Sequence, residues 1–307
     1  MEKQKRKMRS KYIFPFENTL YFGFSEFLRF LRKVISISRF MRIKVKFYLI
    51  PLVLLTILAG LTTNSFGQTQ KKKYKVVLDP GHGGKDSGTM GAKLKEKDVV
   101  LPVAIKVGKY LNEYTDDIEV IFTRTKDEYS HPAVRATKAN QAEADLFVSI
   151  HANAMPAGNS HVFGTETYVM GTKNEGRNFE VAKRENSVIM LEADYKEKYQ
   201  GFDPEAPEVN IMFEIQQEAY QENSIRLAQN VEEQFSKRAG RKSRGVKQSS
   251  LWVLWNTAMP SVLIEIGYLT NPKEESELAT EQVQDYIASA IFRAIRDYFE
   301  YLKTTQN

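Results

Sequence analysis

The chain has 307 residues, 42% of them hydrophobic, enough for one sizeable core. It has no cysteine, so disulfides and thiolate metal sites are excluded, and any metal must bind through His, Asp or Glu. The net charge of +6 is uneven: residues 1–46 hold 13 Lys/Arg against 3 Asp/Glu and the remainder 31 against 35, so nothing points to a nucleic-acid partner.

The basic N-terminus reads as a targeting region. Residues 41–47, "MRIKVKF", form a basic segment, and residues 48–61, "YLIPLVLLTILAGL", an uncharged run of 14 residues. That run is short for a membrane span of about 20 residues. Ser65 and Gly67 stand where a signal peptidase needs small residues, so cleavage is expected near Gly67–Gln68. Residues 41–67 are therefore read as a signal peptide, with an exported, periplasmic or cell-envelope product. No cysteine follows, which excludes a lipoprotein. Residues 1–40, basic and aromatic-rich, read as an over-extended start ahead of Met41, and 68–73 as a short linker.

Beyond the linker, strands and helices alternate. "YKVVLD" (74–79) is a β-branched run expected to be a buried strand. A glycine-rich loop follows. Residues 98–114 predict a helix that starts near Asp98, because Pro102 is tolerated only in a first turn. A strand is expected at 118–124, a helix at 131–143 with Pro132 near its start, and strands at 145–151 and 164–170. Residues 174–209 are polar and charged, and 210–239 predict a long helix. "SLWVLW" (250–255) and "SVLIEIGYL" (261–269) are expected strands, and 280–303 a closing amphipathic helix. This alternation predicts a single α/β domain over 74–303, with a mostly parallel or mixed sheet and helices on both faces.

Three apolar runs end in, or enclose, a polar residue that a buried strand would not choose. The first ends at Asp79 and leads through "LDPGHGGKDSG" to His82; the second, "LFVSIHAN", carries His151; the third, "SVLIEIG", encloses Glu265. Ligand sites in open α/β sheets lie outside the carboxyl ends of the strands. Two histidines delivered there can share a metal ion, and two His with one carboxylate make a hydrolytic zinc set. Asp86, Glu96 and Asp98 all qualify as the third ligand on sequence alone. Glu265, flanked by apolar residues, should have a raised pKa through desolvation, which suits a general base. His131 and His161 lie in polar surroundings and are expected to be solvated. The pair Trp252 and Trp255 is expected in the core and a groove wall.

"VVLDPGHGGKDSG", "EKDVVL", "RATKANQAEADLFVSIHAN" and "PSVLIEIGYLTNPKE" resemble, in order, the motifs of zinc-dependent N-acetylmuramoyl-L-alanine amidases of bacterial cell-wall turnover. The resemblance spans about residues 74–303. It implies a mixed sheet of about six strands, one zinc ion held by His82, Glu96 and His151, and Glu265 as catalytic carboxylate. It also implies hydrolysis of the amide between N-acetylmuramic acid and L-alanine in peptidoglycan, for wall remodelling or daughter-cell separation. Asp79, Asp86 and Asn153 are expected beside these residues, bracing them or meeting substrate.

Shorter family members lack residues 174–209. Division-associated members carry a comparable insert that covers the zinc until an activator protein displaces it. The same is expected here, with Glu180, Glu185 or Glu192 as the blocking ligand; the alternative is a surface elaboration with no effect on the site. Two rival functions remain at this level. A zinc peptidase acting within the stem peptide would differ in its products, and a non-catalytic wall-binding protein would have lost a ligand that this sequence keeps.

Overall fold

Three strands carry apolar residues on both faces, and these make the centre of the sheet. The computed structural model describes residues 73–171, 177–191 and 214–305, with three helical positions, Leu28, Arg29 and Arg32, ahead of them. The expected signal peptide, its preceding segment apart from those three positions, the linker up to Lys72, and the insert outside 177–191 lie beyond the described residues. No helix among the described residues is long and apolar enough to cross a membrane.

Strands β1 (Tyr74–Pro80), β2 (Ile118–Phe122), β3 (Leu146–Asn153), β4 (Thr165–Met170), β5 (Ser243–Ser249) and β6 (Ser261–Tyr268) form one sheet in the order β2-β1-β3-β6-β4-β5. β2, β1, β3 and β6 run parallel; β4 is antiparallel to β6 and parallel to β5. Helices α1 (Glu96–Tyr114), α4 (Glu214–Lys237) and α7 (Glu281–Thr305) cover one face, burying Val76, Leu78, Val148, Ile150, Val262 and Ile264. Helices α2 (Pro132–Gln141), α3 (Arg177–Asn186) and the single turn α5 (Trp252–Trp255) cover the other, over Val77, Phe147 and Leu263. The period-two alternation of each strand thus feeds two cores, as a single mixed α/β domain requires. A 3-10 turn, Ser187–Leu191, extends α3, and α6 (Pro272–Leu278) follows β6.

Several local expectations are corrected. "SLWVLW" is not a strand: Leu251 opens the α5 turn, and the Trp252 N–H donates to the Asn186 side chain. The strand at that edge is the polar segment Ser243–Ser249, which pairs with β4 alone. Helix α1 begins at Glu96, upstream of Asp98, and holds Pro102 in its interior. Its first N–H groups are satisfied by the preceding loop, Glu96 N on Thr89 O and Lys97 N on Ser87 O, which fixes the earlier start. His131 is buried, not solvated: its Nδ1 accepts the Ala133 N–H and caps α2. His161 is exposed.

Candidate metal centre

The parallel strands β1, β3 and β6 deliver their carboxyl ends to one edge, and the site lies there. β1 ends at Pro80, and the chain turns through Gly81 to His82, which sits in the left-handed region at φ 57°. Gly81 is required by the second histidine, because a Cβ there would lie 2.5 Å from the His151 ring. Gly88, at φ 64°, allows the loop to close; a Cβ would lie 2.5 Å from His82 Cδ2 and 2.6 Å from Glu96 Oε2. His151 comes from β3, paired in register with Glu265 of β6. Glu96 opens α1 and reaches back, accepting the N–H groups of Thr89 and Ala152 at 2.8 Å each.

These residues converge, and a fourth joins them. Glu185, from α3, places Oε2 at 2.8 Å from His151 Nδ1 and 3.3 Å from His82 Nε2. Glu96 approaches the same two imidazole nitrogens at 3.1 Å each. One ligand atom from each of His82, Glu96, His151 and Glu185 lies within 4.8 Å of the others, and all four residues are buried. His82 Nε2, His151 Nδ1 and Glu185 Oε2 nonetheless lack hydrogen-bond geometry to any partner. Buried polar atoms without partners are costly. Lone pairs that face one point at this spacing fit a metal ion bound by nitrogen and oxygen. Of the three carboxylates open on sequence, Glu96 joins the cluster; Asp86 stands behind His82, its Oδ2 2.7 Å from Nδ1. That contact holds the Nδ1 hydrogen and leaves Nε2 facing the cluster.

The charges agree with this geometry. Burial opposes the charged form of both histidines, yet Glu96 and Asp86 hold His82 well above the usual range, and Glu185 foremost pushes His151 to about 9. Burial would raise Glu96, but His82 draws it down to about 2. Burial would likewise raise Glu185, which His151 and Arg184 pull well below its ordinary value. So the carboxylates demand positive charge at this point, supplied by protons on the imidazoles or by a cation bound to neutral ones. Glu265 goes the other way: burial and the Glu185 carboxylate push it up to about 8, against Arg184. Its Oε1 accepts from Arg184 Nη2 at 3.2 Å, and its Oε2 has no partner.

Beneath the site, Asp79 is fully buried and accepts from Thr123, Ser149 and Arg135. Burial would raise its pKa, but Arg135 and the two hydroxyls hold it below the usual range. Arg135 also donates to the carbonyls of Pro80 and His82, and Arg124 to those of Pro80 and Gly81, so two buried arginines clamp the turn that carries His82. Asn153 donates to Glu166. Of the other expected blocking residues, Glu180 is exposed and away from the cluster, and Glu192 lies outside the described residues. The sequence reading missed Arg124, Arg135, Glu166 and Arg184. Glu166 carried the same signal as Glu265, a carboxylate inside a strand; Arg184, adjacent to Glu185, carried none.

A model of the family described as N-acetylmuramoyl-L-alanine amidase matches residues 76–297. The N-acetylmuramoyl-L-alanine amidase AmiA of Escherichia coli K12 is 32% identical over 249 residues, covering 78% of this chain and 82% of that protein. AmiC of Escherichia coli O6:H1 is 33% identical over 73% of this chain, which spans about half, 52%, of that relative's length. Among solved structures, an N-acetylmuramoyl-L-alanine amidase from Clostridium difficile 630 is 30% identical with a TM-score of 0.56, covering 75% of this chain and 98% of that one.

Proposed function

The chain belongs to the N-acetylmuramoyl-L-alanine amidase family, and from that premise we propose a zinc-dependent enzyme that carries its own inhibitor. It hydrolyses the amide between the lactyl group of N-acetylmuramic acid and L-alanine of the peptidoglycan stem. His82, Glu96 and His151 would hold one zinc ion, which would supply Lewis acidity for the carbonyl and the attacking water. Glu265 takes a proton from the attacking water and returns it to the departing nitrogen, a relay that its apolar surroundings favour by raising its proton affinity. Asp86 fixes the His82 ring through Nδ1, and Asp79 holds the turn beneath it through Arg135.

The insert closes this site. The supporting observation is the Glu185 carboxylate at 2.8 Å and 3.3 Å from the two imidazole nitrogens, where a fourth ligand would otherwise be water or substrate. Arg184 beside it pairs with Glu265. An activator protein that draws the 174–209 insert away would expose metal and base together. The protein acts outside the cytoplasm, after cleavage near Gly67–Gln68, in wall remodelling or daughter-cell separation.

The test is mass spectrometry of soluble fragments released from purified peptidoglycan. Intact stem peptides with a free L-alanine amino group are expected, abolished by chelation and by Glu265→Gln. Fragments cut within the stem would refute the reading.

A further inference from the structure

Arg184 does more than neutralise Glu265. Its guanidinium donates from Nη2 to Glu265 Oε1 at 3.2 Å and to Asn153 Oδ1 at 3.1 Å, and from Nη1 to the Ala154 carbonyl at 3.3 Å. Its Nε donates to Glu185 Oε1 at 2.9 Å, so the two neighbouring side chains act as one unit. That unit presents oxygen to the two imidazoles and N–H groups to Glu265. A peptide amide has the same polarity, carbonyl oxygen at one end and N–H at the other.

Two of the groups that receive Arg184, Asn153 Oδ1 and the Ala154 carbonyl, can only accept. A substrate group placed there must bring hydrogen, as an amide N–H or an amine does; an ester oxygen or a carbonyl cannot. The orientation of Asn153 enforces this. It is buried, and its Nδ2 donates to Glu166 Oε2 at 3.1 Å. A carboxylate only accepts, so Glu166 fixes which end of the amide faces it and turns Oδ1 toward the site. Glu166 is itself fully buried, opposite Glu265 in the β4–β6 register, and is held by Tyr168 OH at 2.9 Å and Arg244 Nε at 3.1 Å. Of these three partners only Asn153 also faces Arg184, so through that side chain Glu166 bears on the site.

We propose that the Arg184–Glu185 pair imitates the scissile amide, and that the acceptors it occupies, Asn153 Oδ1 and the Ala154 carbonyl beside Glu265, bind the N–H of the substrate's L-alanine, with Glu166 as a positioning residue. This rests on the amidase reading above. In hydrolysis the water oxygen joins the carbonyl carbon and the C–N bond breaks, its electron pair staying on nitrogen. One water proton passes through Glu265 to that nitrogen. Throughout, the original N–H stays on Asn153 and Ala154, which keeps the nitrogen lone pair turned toward Glu265.

The test compares N-acetylmuramoyl-L-alanyl-D-isoglutamine with its depsi analogue, in which an ester oxygen replaces the L-alanine N–H. Both are offered to the full zinc-loaded chain carrying Arg184→Ala and Glu185→Ala, alone and with Asn153→Ala or Glu166→Gln. Each added substitution should lower kcat/KM on the amide about tenfold or more, the scale of one lost hydrogen bond, and leave the ester within a factor of about three. Zinc content should not change. Equal losses on both substrates, or none, would overturn the proposal. If the unlatched chain hydrolyses neither substrate, the zinc-hydrolase reading fails instead. Calorimetric binding to the metal-free chain then decides the acceptor site: tighter binding of the amide that depends on Asn153 supports it, and equal binding of amide and ester overturns it.

Discussion

Glu185→Ala tests the insert directly. The substitution removes a buried carboxylate that two imidazoles and Arg184 surround. Removing one partner from such a buried cluster typically costs about 3–5 kcal/mol. If that energy is what keeps the insert down, the open form is rare, and closing is lost with the carboxylate. At about 1.4 kcal/mol per factor of ten, turnover should rise between about a hundredfold and a few thousandfold. Arg184 retains its hold on Glu265, so the double variant with Arg184→Ala should gain further, and the two gains should not add because the side chains touch. The assay follows free L-alanine amino groups released from a soluble muropeptide, with zinc content measured on the same samples. A folded, zinc-loaded Glu185→Ala chain no faster than the parent would refute the blocking role. Loss of zinc would show instead that Glu185 is a resident ligand.

Three further outcomes bear on the scaffold. Asp79→Asn leaves Arg135 buried without its charge partner, and a loss of about 3–5 kcal/mol should lower Tm by roughly 6–20 °C in a domain of this size. The folded pKa of Asp79 is depressed, so its contribution is complete above the unfolded value of about 3.9 and fades only as pH falls through the lower folded value. The gap between parent and variant in urea melts should therefore stay flat from about pH 5 to 8; a gap that opens or closes across that range would refute the assignment. Gly88→Ala forces a Cβ against His82 and Glu96 at a left-handed φ, and bound zinc measured by atomic absorption should fall below half of the parent's. Chelation should lower the parent's Tm, since an ion present at about 100 times its Kd adds about 2.7 kcal/mol; an unchanged melt would argue against a resident metal.

How much of this could be read from the chain depends on where the physical cause sits. β1, β3 and β6 are buried on both faces, so each reads as a continuous apolar run and each was legible. β5 has one neighbour and a polar sequence, "SRGVKQS", so its strand character comes from pairing with β4 rather than from its own residues. "WVLW" has strand composition, but its backbone closes a turn, Leu254 N and Trp255 N on Leu251 O, and the Trp252 N–H goes to Asn186, a partner 66 positions away. His82, His151 and Glu265 stood out because polar residues interrupt apolar runs. Glu96 was one of three carboxylates until α1 folded it back onto Ala152. The role of Arg184 could not be read at all, because its partners lie 31 and 81 positions away.

The pairing of opposite charges on α3 bears on how the proposed latch would open. Glu185 and Arg184 are adjacent and bonded to each other, so a movement of α3 withdraws one negative and one positive group together. The net charge left at the site is unchanged. Glu265 loses both the carboxylate that raises its pKa and the guanidinium that lowers it. A lone blocking glutamate would instead change the net charge at the site as it left and lower the base's proton affinity with it. On the proposed reading, a paired latch would leave the charge balance around Glu265 unchanged on opening, and an activator would have to supply the contacts that α3 surrenders.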